Sequence, residues 1–152
     1  MIKTLMSTVL LGAAGAAVAF SGTVKMARHD GAVTRTLSVS NWQVDNRGVP
    51  SFDFRFRQSG GGCDYQRSGH AVAGFEEGDG KAELEIYSGQ DEQGRETAPL
   101  MILYAYDSTV IFSTPVRQNR AFWMSFQDER MRRSVPKQCG YTERGSALMF
   151  RK

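Results

Sequence analysis

Ser51-Phe52-Asp53-Phe54-Arg55-Phe56-Arg57 alternates apolar and polar side chains without a break. A period of two puts Phe52, Phe54 and Phe56 on one face of an extended chain and Asp53, Arg55 and Arg57 on the other. Such a segment is a half-buried antiparallel strand, with one face on a core and the other in water. Val33-Thr34-Arg35-Thr36-Leu37-Ser38-Val39 reads the same way and is rich in β-branched residues. Lys81-Ala82-Glu83-Leu84-Glu85-Ile86-Tyr87 repeats the pattern, which predicts Ala82, Leu84 and Ile86 inward and both glutamates outward. Met101 to Tyr106 and Thr109 to Ser113 are apolar on both faces and are expected to be more central strands.

Between these runs stand residues that tolerate positive φ: Asn46-Arg47-Gly48, the glycines 60 to 62, Asp79-Gly80 and Gly89 to Gly94. Ala121-Phe122-Trp123-Met124-Ser125-Phe126 fits a strand, or, continued through Gln127 to Arg133, a helix with Phe122 and Phe126 one turn apart. A strand followed by a short helical turn near residues 127–134 is the expectation. The fold class that follows is all-β, a small antiparallel barrel or sandwich of about seven to eight strands.

The chain opens with one charge at Lys3 and then runs from Thr4 to Ala19 uncharged. This stretch is shorter than the roughly 20 residues a spanning helix needs, and Ala17-Val18-Ala19 has the small-x-small form of a cleavage site. Residues 1–19 therefore read as a signal peptide and 20–152 as one β domain, periplasmic or secreted and not membrane-spanning. Cys63 and Cys139 are the only cysteines. In an oxidising compartment the pair is expected to be a disulfide. Closing a loop of this length stabilises by roughly 4–5 kcal/mol in the chain-entropy model.

Charge is uneven along the chain. Residues 20–115 carry 9 Lys and Arg against 13 Asp and Glu, whereas residues 116–152 carry 9 against 3. Arg130, Arg132, Arg133 and Lys137 form a basic patch that reads either as a solvated face or as a contact for an anionic envelope component such as lipid, lipopolysaccharide or peptidoglycan. Trp123, Phe126 and Tyr141 would be the stacking partners of a nucleic acid, but export argues against that ligand.

The two cysteines open similar segments. Cys63-Asp64-Tyr65 leads through Gly69 and Ala71 to Phe75, and Cys139-Gly140-Tyr141 leads through Gly145 and Ala147 to Phe150. One reading is two edge strands joined by a crosslink, each Gly marking a bulge or a close backbone approach. A secreted Cys followed by Gly-x-Ala, with a second Cys-Gly near the C-terminus, also resembles the small periplasmic β-barrel inhibitors of c-type lysozyme. That resemblance covers Cys63 to Ala71 and Cys139 to Phe150. It implies a crosslinked eight-stranded barrel that blocks a lysozyme cleft with a Ser-Gly-bearing loop, here Ser68-Gly69, and a second loop, here Thr142 to Gly145. His70-Ala71-Val72 stands where the family has a tyrosine, and Arg144 stands for the second loop's lysine. A cleft holding two carboxylates calls for a hydroxyl and a cation, which Ser68 with Arg67 or His70, and Arg144, would supply.

Catalysis and metal binding find little support. Neither His29 nor His70 belongs to a Gly-x-Ser-x-Gly elbow or a comparable signature. His29-Asp30 is expected in a polar stretch before the first strand, the two side chains pointing opposite ways. Two distant histidines with paired cysteines do not make a zinc site, and Asp91-Glu92-Gln93-Gly94 lacks the alternating ligands of a calcium loop. The expectation is a non-enzymatic binding protein without cofactor or metal. Its partner would be a lysozyme-like hydrolase at Ser68, Gly69, His70, Thr142 and Arg144; the alternative is a structural or stress-related envelope protein whose basic patch binds an anionic envelope component.

Overall fold

A computed structural model describes residues 22–78, 81–88, 93–106, 110–116, 121–126, 136, 139 and 147–152. The expected signal peptide, the expected turn near 127–134, the basic patch at Arg130, Arg132, Arg133 and Lys137, and Thr142 and Arg144 lie outside the described residues. The described residues form eleven strands, in the order β1 Val24–Asp30, β2 Val33–Val44, β3 Pro50–Gly60, β4 Cys63–Ala73, β5 Phe75–Gly78, β6 Lys81–Leu84, β7 Ile86–Tyr87, β8 Leu100–Ala105, β9 Val110–Pro115, β10 Ala121–Phe126 and β11 Ala147–Arg151. Every pairing between them is antiparallel. Eight of these strands run β1-β2-β3-β4-β8-β9-β10-β11 around the wall, and β1 meets β11 at the seam, so the sheet is a nearly closed barrel. Among the described residues there is no helix, and so none long and apolar enough to cross a membrane.

The alternation on β3 sets the interior. Phe52, Phe54 and Phe56 are buried and reach across the barrel to the aromatic rings of β9, β10 and β11. Phe52 meets Phe112 and Phe122 edge to face at 5.2 and 5.6 Å, Phe54 tilts against Phe112 at 4.8 Å, and Phe56 meets Phe126 and Phe150 at 6.0 and 6.1 Å. Each geometry suits the ring quadrupoles, and each fully buried Phe removes enough apolar surface to stabilise the fold by about 1.5–3 kcal/mol. Phe122 and Phe126 thus enter the core from a strand, the first of the two readings of Ala121 to Phe126.

Two features of the wall depart from the period-two reading. On β2, Asn41 and Trp42 together oppose the single residue Phe52, and Asn41 sits at φ 53°. This bulge turns Trp42 inward, where it stacks on Phe52 at 5.6 Å. The expected strand from Lys81 to Tyr87 is broken at Glu85. Gly74 N–H donates to the Ile102 carbonyl at 3.0 Å, Glu85 N–H to that of Gly74 at 2.8 Å and Ile102 N–H to that of Glu85 at 3.2 Å. At this junction β5 and β6 leave the wall as a separate hairpin, while β7 rejoins it on β8. Ile86, predicted inward, is 48 % exposed, and Glu85, predicted outward, is half-buried and accepts the Tyr104 hydroxyl at 2.6 Å. Burial and the Glu85 carboxylate push the Tyr104 phenol up to about 12. The alternation was real, but three-way backbone bonding at Gly74 took precedence over it.

Cys63 and Cys139 form the disulfide, with Cα atoms 4.9 Å apart. It does not join two look-alike strands, because β4 begins at Cys63 whereas β11 begins only at Ala147. Arg35 supplies a second tie at the same place. It points inward from β2 and is 5 % exposed; Nε donates to Gln58 Oε1 at 2.7 Å, one terminal nitrogen donates to the Asp30 carboxylate and the other to the Cys139 carbonyl at 2.6 Å. His29 and Asp30 therefore lie within β1, not before it. Burial pushes the Asp30 carboxyl up, but the guanidiniums of Arg28 and Arg35 outweigh it and hold it below its ordinary value.

Arg35→Met keeps most of the buried volume but leaves the Gln58 and Cys139 oxygens without their donor. The expected loss is about 2–4 kcal/mol of unfolding free energy in urea titration. A change within experimental error would show that the buried guanidinium does not hold the Cys139 segment.

Candidate functional site

The β3–β4 hairpin turns at Gly61 and Gly62, both at positive φ, in a two-residue loop. Pairing then runs without interruption from Gly60↔Cys63 back to Ser51↔Val72. Arg55 comes opposite Ser68, and Asp53 opposite His70. Because Phe54 and Phe56 face the core, Arg55 and Asp53 face out, and their partners share that face.

Extending the register through β2 and β1 gives two outward rows. Lys25, Ser38, Arg55 and Ser68 form the first, one residue from each of the four strands. Ser40, Asp53 and His70 form the second. These residues line a shallow trough of about 680 Å³ on the outside of the barrel. Lys25 and Arg55 are exposed and form no ion pair among the described residues.

Asp53 organises the second row. Asn41 Nδ2 donates to its Oδ2 at 2.6 Å, an approach made possible by the left-handed backbone at the β2 bulge. His70 Nδ1–H donates to Oδ1 at 2.7 Å. The hydrogen bond from Asn41 and then that from His70 hold the carboxyl below its ordinary value. Ser68 makes no hydrogen bond with His70 among the described residues; its neighbour across the strand is Arg55.

Ser68-Gly69 is the middle of β4 and not a loop. The reason is the alternation of β4 itself, with Cys63, Ala71 and Ala73 buried inward and Asp64, Gln66, Ser68 and His70 exposed outward. Gly69 faces inward against Tyr106, which turns the chain at φ 52° just after β8. A Cβ on Gly69 would lie 2.7 Å from Tyr106 Oη and 2.9 Å from Cζ. The Tyr106 hydroxyl donates to the Ser68 carbonyl, its ring lies edge-on to Phe54 at 6.2 Å, and Arg67 stands 5.5 Å over it. Gly69, expected to mark a bulge or a close backbone approach, instead makes room for an aromatic side chain.

Of the residues predicted for the site, Ser68, Gly69 and His70 come together here. Asn41, Asp53, Lys25, Arg55 and Tyr106 also belong to it and were not predicted. Reading Gly60-Gly61-Gly62 as a two-residue turn and counting pairs back from Cys63 would have found Asp53 and Arg55. The class defined by fold and site is an antiparallel, disulfide-bonded barrel with a polar outer face on β1–β4. Comparison with family models, curated proteins and solved structures returns no match to this chain.

Gly69→Ala is expected to cost about 1–3 kcal/mol in urea unfolding, because the tyrosine must move. In a Tyr106→Ala background the same change is expected to be neutral or stabilising, since Ala is favoured over Gly in a strand. An equal cost in both backgrounds would overturn the assignment. For Asp53, a depressed folded pKa means its stabilisation is present above the unfolded value near 3.8 and is lost as pH falls through the folded value. Asp53→Asn should therefore be less stable than the unsubstituted protein at pH 7, and the gap should close on acidification below pH 3.8. A gap independent of pH would count against the carboxylate.

Proposed function

We propose that the protein is a non-enzymatic, exported binding protein that recognises another macromolecule through the outward face of β1–β4. The observation that carries this reading is that Ser68 and His70 share one rigid face with two cations, Lys25 and Arg55, that form no ion pair among the described residues. Hydroxyls and unpaired cations carried on a rigid sheet suit a partner that presents carboxylates, because the strand register fixes the spacing of the backbones that bear them.

The form implied by the resemblance is inhibition of a lysozyme-like hydrolase. Two cleft carboxylates, one of them protonated at neutral pH, would meet the Ser68 hydroxyl and the cations beside it. Because Ser68-Gly69 lies in a strand, such a partner would be covered by a sheet face and not entered by a loop.

In a cell-wall clearing assay the purified protein is expected to slow c-type lysozyme at near-stoichiometric amounts. Ser68→Asp and Arg55→Glu should each weaken that inhibition at least tenfold, and Arg132→Gln with Arg133→Gln should leave it unchanged. Absence of any slowing at large excess would reject the hydrolase as partner.

A further inference from the structure

We infer that the trough across β1–β4 is a binding site for an acidic polysaccharide, a glycan chain lying across the strands along Lys25, Ser38, Arg55 and Ser68. This rests on the reading of that face as a recognition surface, but not on a hydrolase being the partner.

Three features select the ligand. Neighbouring strands stand about 4.8 Å apart, so the backbones carrying Lys25 and Arg55 are separated by about 10 Å, close to the length of one disaccharide. Each cation is followed by a serine in the same row, Ser38 after Lys25 and Ser68 after Arg55. A chain with one carboxylate on every second sugar would place anions and hydroxyls in that same alternation.

The second row excludes a bare polyanion. Asp53 lies in the trough beside Arg55, held ionised by Asn41 and His70, and would repel unbroken negative charge. It can accept hydrogen bonds from sugar hydroxyls, as can Ser40 beside it. The ligand must therefore offer donors as well as charge, which a polyphosphate does not.

No Phe, Tyr or Trp is exposed on this face, and the one ring in its two rows, His70, is held by Asp53. Between Thr34 and Ser40, β2 turns out only Thr34, Thr36, Ser38 and Ser40, and the aromatic residues of β2 and β3 point inward. Recognition of single-stranded nucleic acid would need exposed rings. Two exposed charge contacts give modest affinity each, strengthened by repetition along a polymer.

The test is titration of the full ¹⁵N-labelled chain with hyaluronate oligosaccharides, which carry a carboxylate on alternate sugars. Saturable shifts are expected at Ser38, Arg55 and Ser68, with neutral chitin oligosaccharides giving none. Lys25→Gln and Arg55→Gln should each weaken binding about fivefold at unchanged melting temperature. Rising salt should weaken binding as well. Equal response to the neutral oligosaccharide, shifts confined to other strands, or tighter binding of inorganic polyphosphate or phosphatidylglycerol vesicles would each overturn the inference. Hyaluronate binding without lysozyme inhibition would reject only the hydrolase; lysozyme inhibition lost in Lys25→Gln and Arg55→Gln, with no glycan shift, would reject only the glycan.

Discussion

The strict alternation of β3 governs both sides of the barrel wall. Phe52, Phe54 and Phe56 meet rings contributed by β9, β10 and β11, so they fix which residues of those strands face in. A slip of one residue would expose three phenylalanines and bury Asp53, Arg55 and Arg57. Burying three charges without partners costs several kcal/mol each, and the register is therefore strongly specified. The same constraint that builds the core sets Asp53 against His70 and Arg55 against Ser68 on the outside. Core and outer polar face are two readings of one strand.

At one end of the barrel the apolar interior gives way to a polar tie. The disulfide fastens Cys139 to the start of β4, and Arg35 takes hold of the Cys139 carbonyl from β2. The two act on different states. The crosslink restricts the unfolded chain, whereas the buried guanidinium bonds only in the folded one, to oxygens that would otherwise lack a donor. Arg35 also bonds Gln58 on β3 and Asp30 on β1, so the anchorage of Cys139 is shared among three adjacent strands.

The all-β class, the strand at Ala121 to Phe126 and the cysteine pairing were legible in the sequence because each rests on local pattern or on residue count. What escaped was set by longer-range bonding. Nothing in Lys81 to Tyr87 signals that Gly74 will exchange backbone bonds with Glu85 and Ile102 and so divide the strand. Asn41-Trp42 carries no glycine to mark its bulge, and the left-handed asparagine is explained only by the Asp53 carboxylate it reaches. At the site, Ser68, Gly69 and His70 were found through the cysteine segment. Their partners stayed hidden because cross-strand neighbours are distant in sequence until a turn fixes the register. Tyr106 was beyond reach, since its contact with Gly69 depends on β4 passing the end of β8 after pairing with it only at Val72 and Ala73.

That short pairing bears on how the face can act. Where β4 runs past β8, Tyr106 fills the space over Gly69 and bonds the Ser68 carbonyl, while β3 holds the other edge of β4 throughout. Ser68 is thus fixed on both edges of its strand, and His70 is fixed through its ring by Asp53. The backbone of β4 and the His70 ring are therefore held in place on the outer face. A loop could adapt to several partners. A strand with a fixed register presents its hydroxyls and cations at the interval of the sheet.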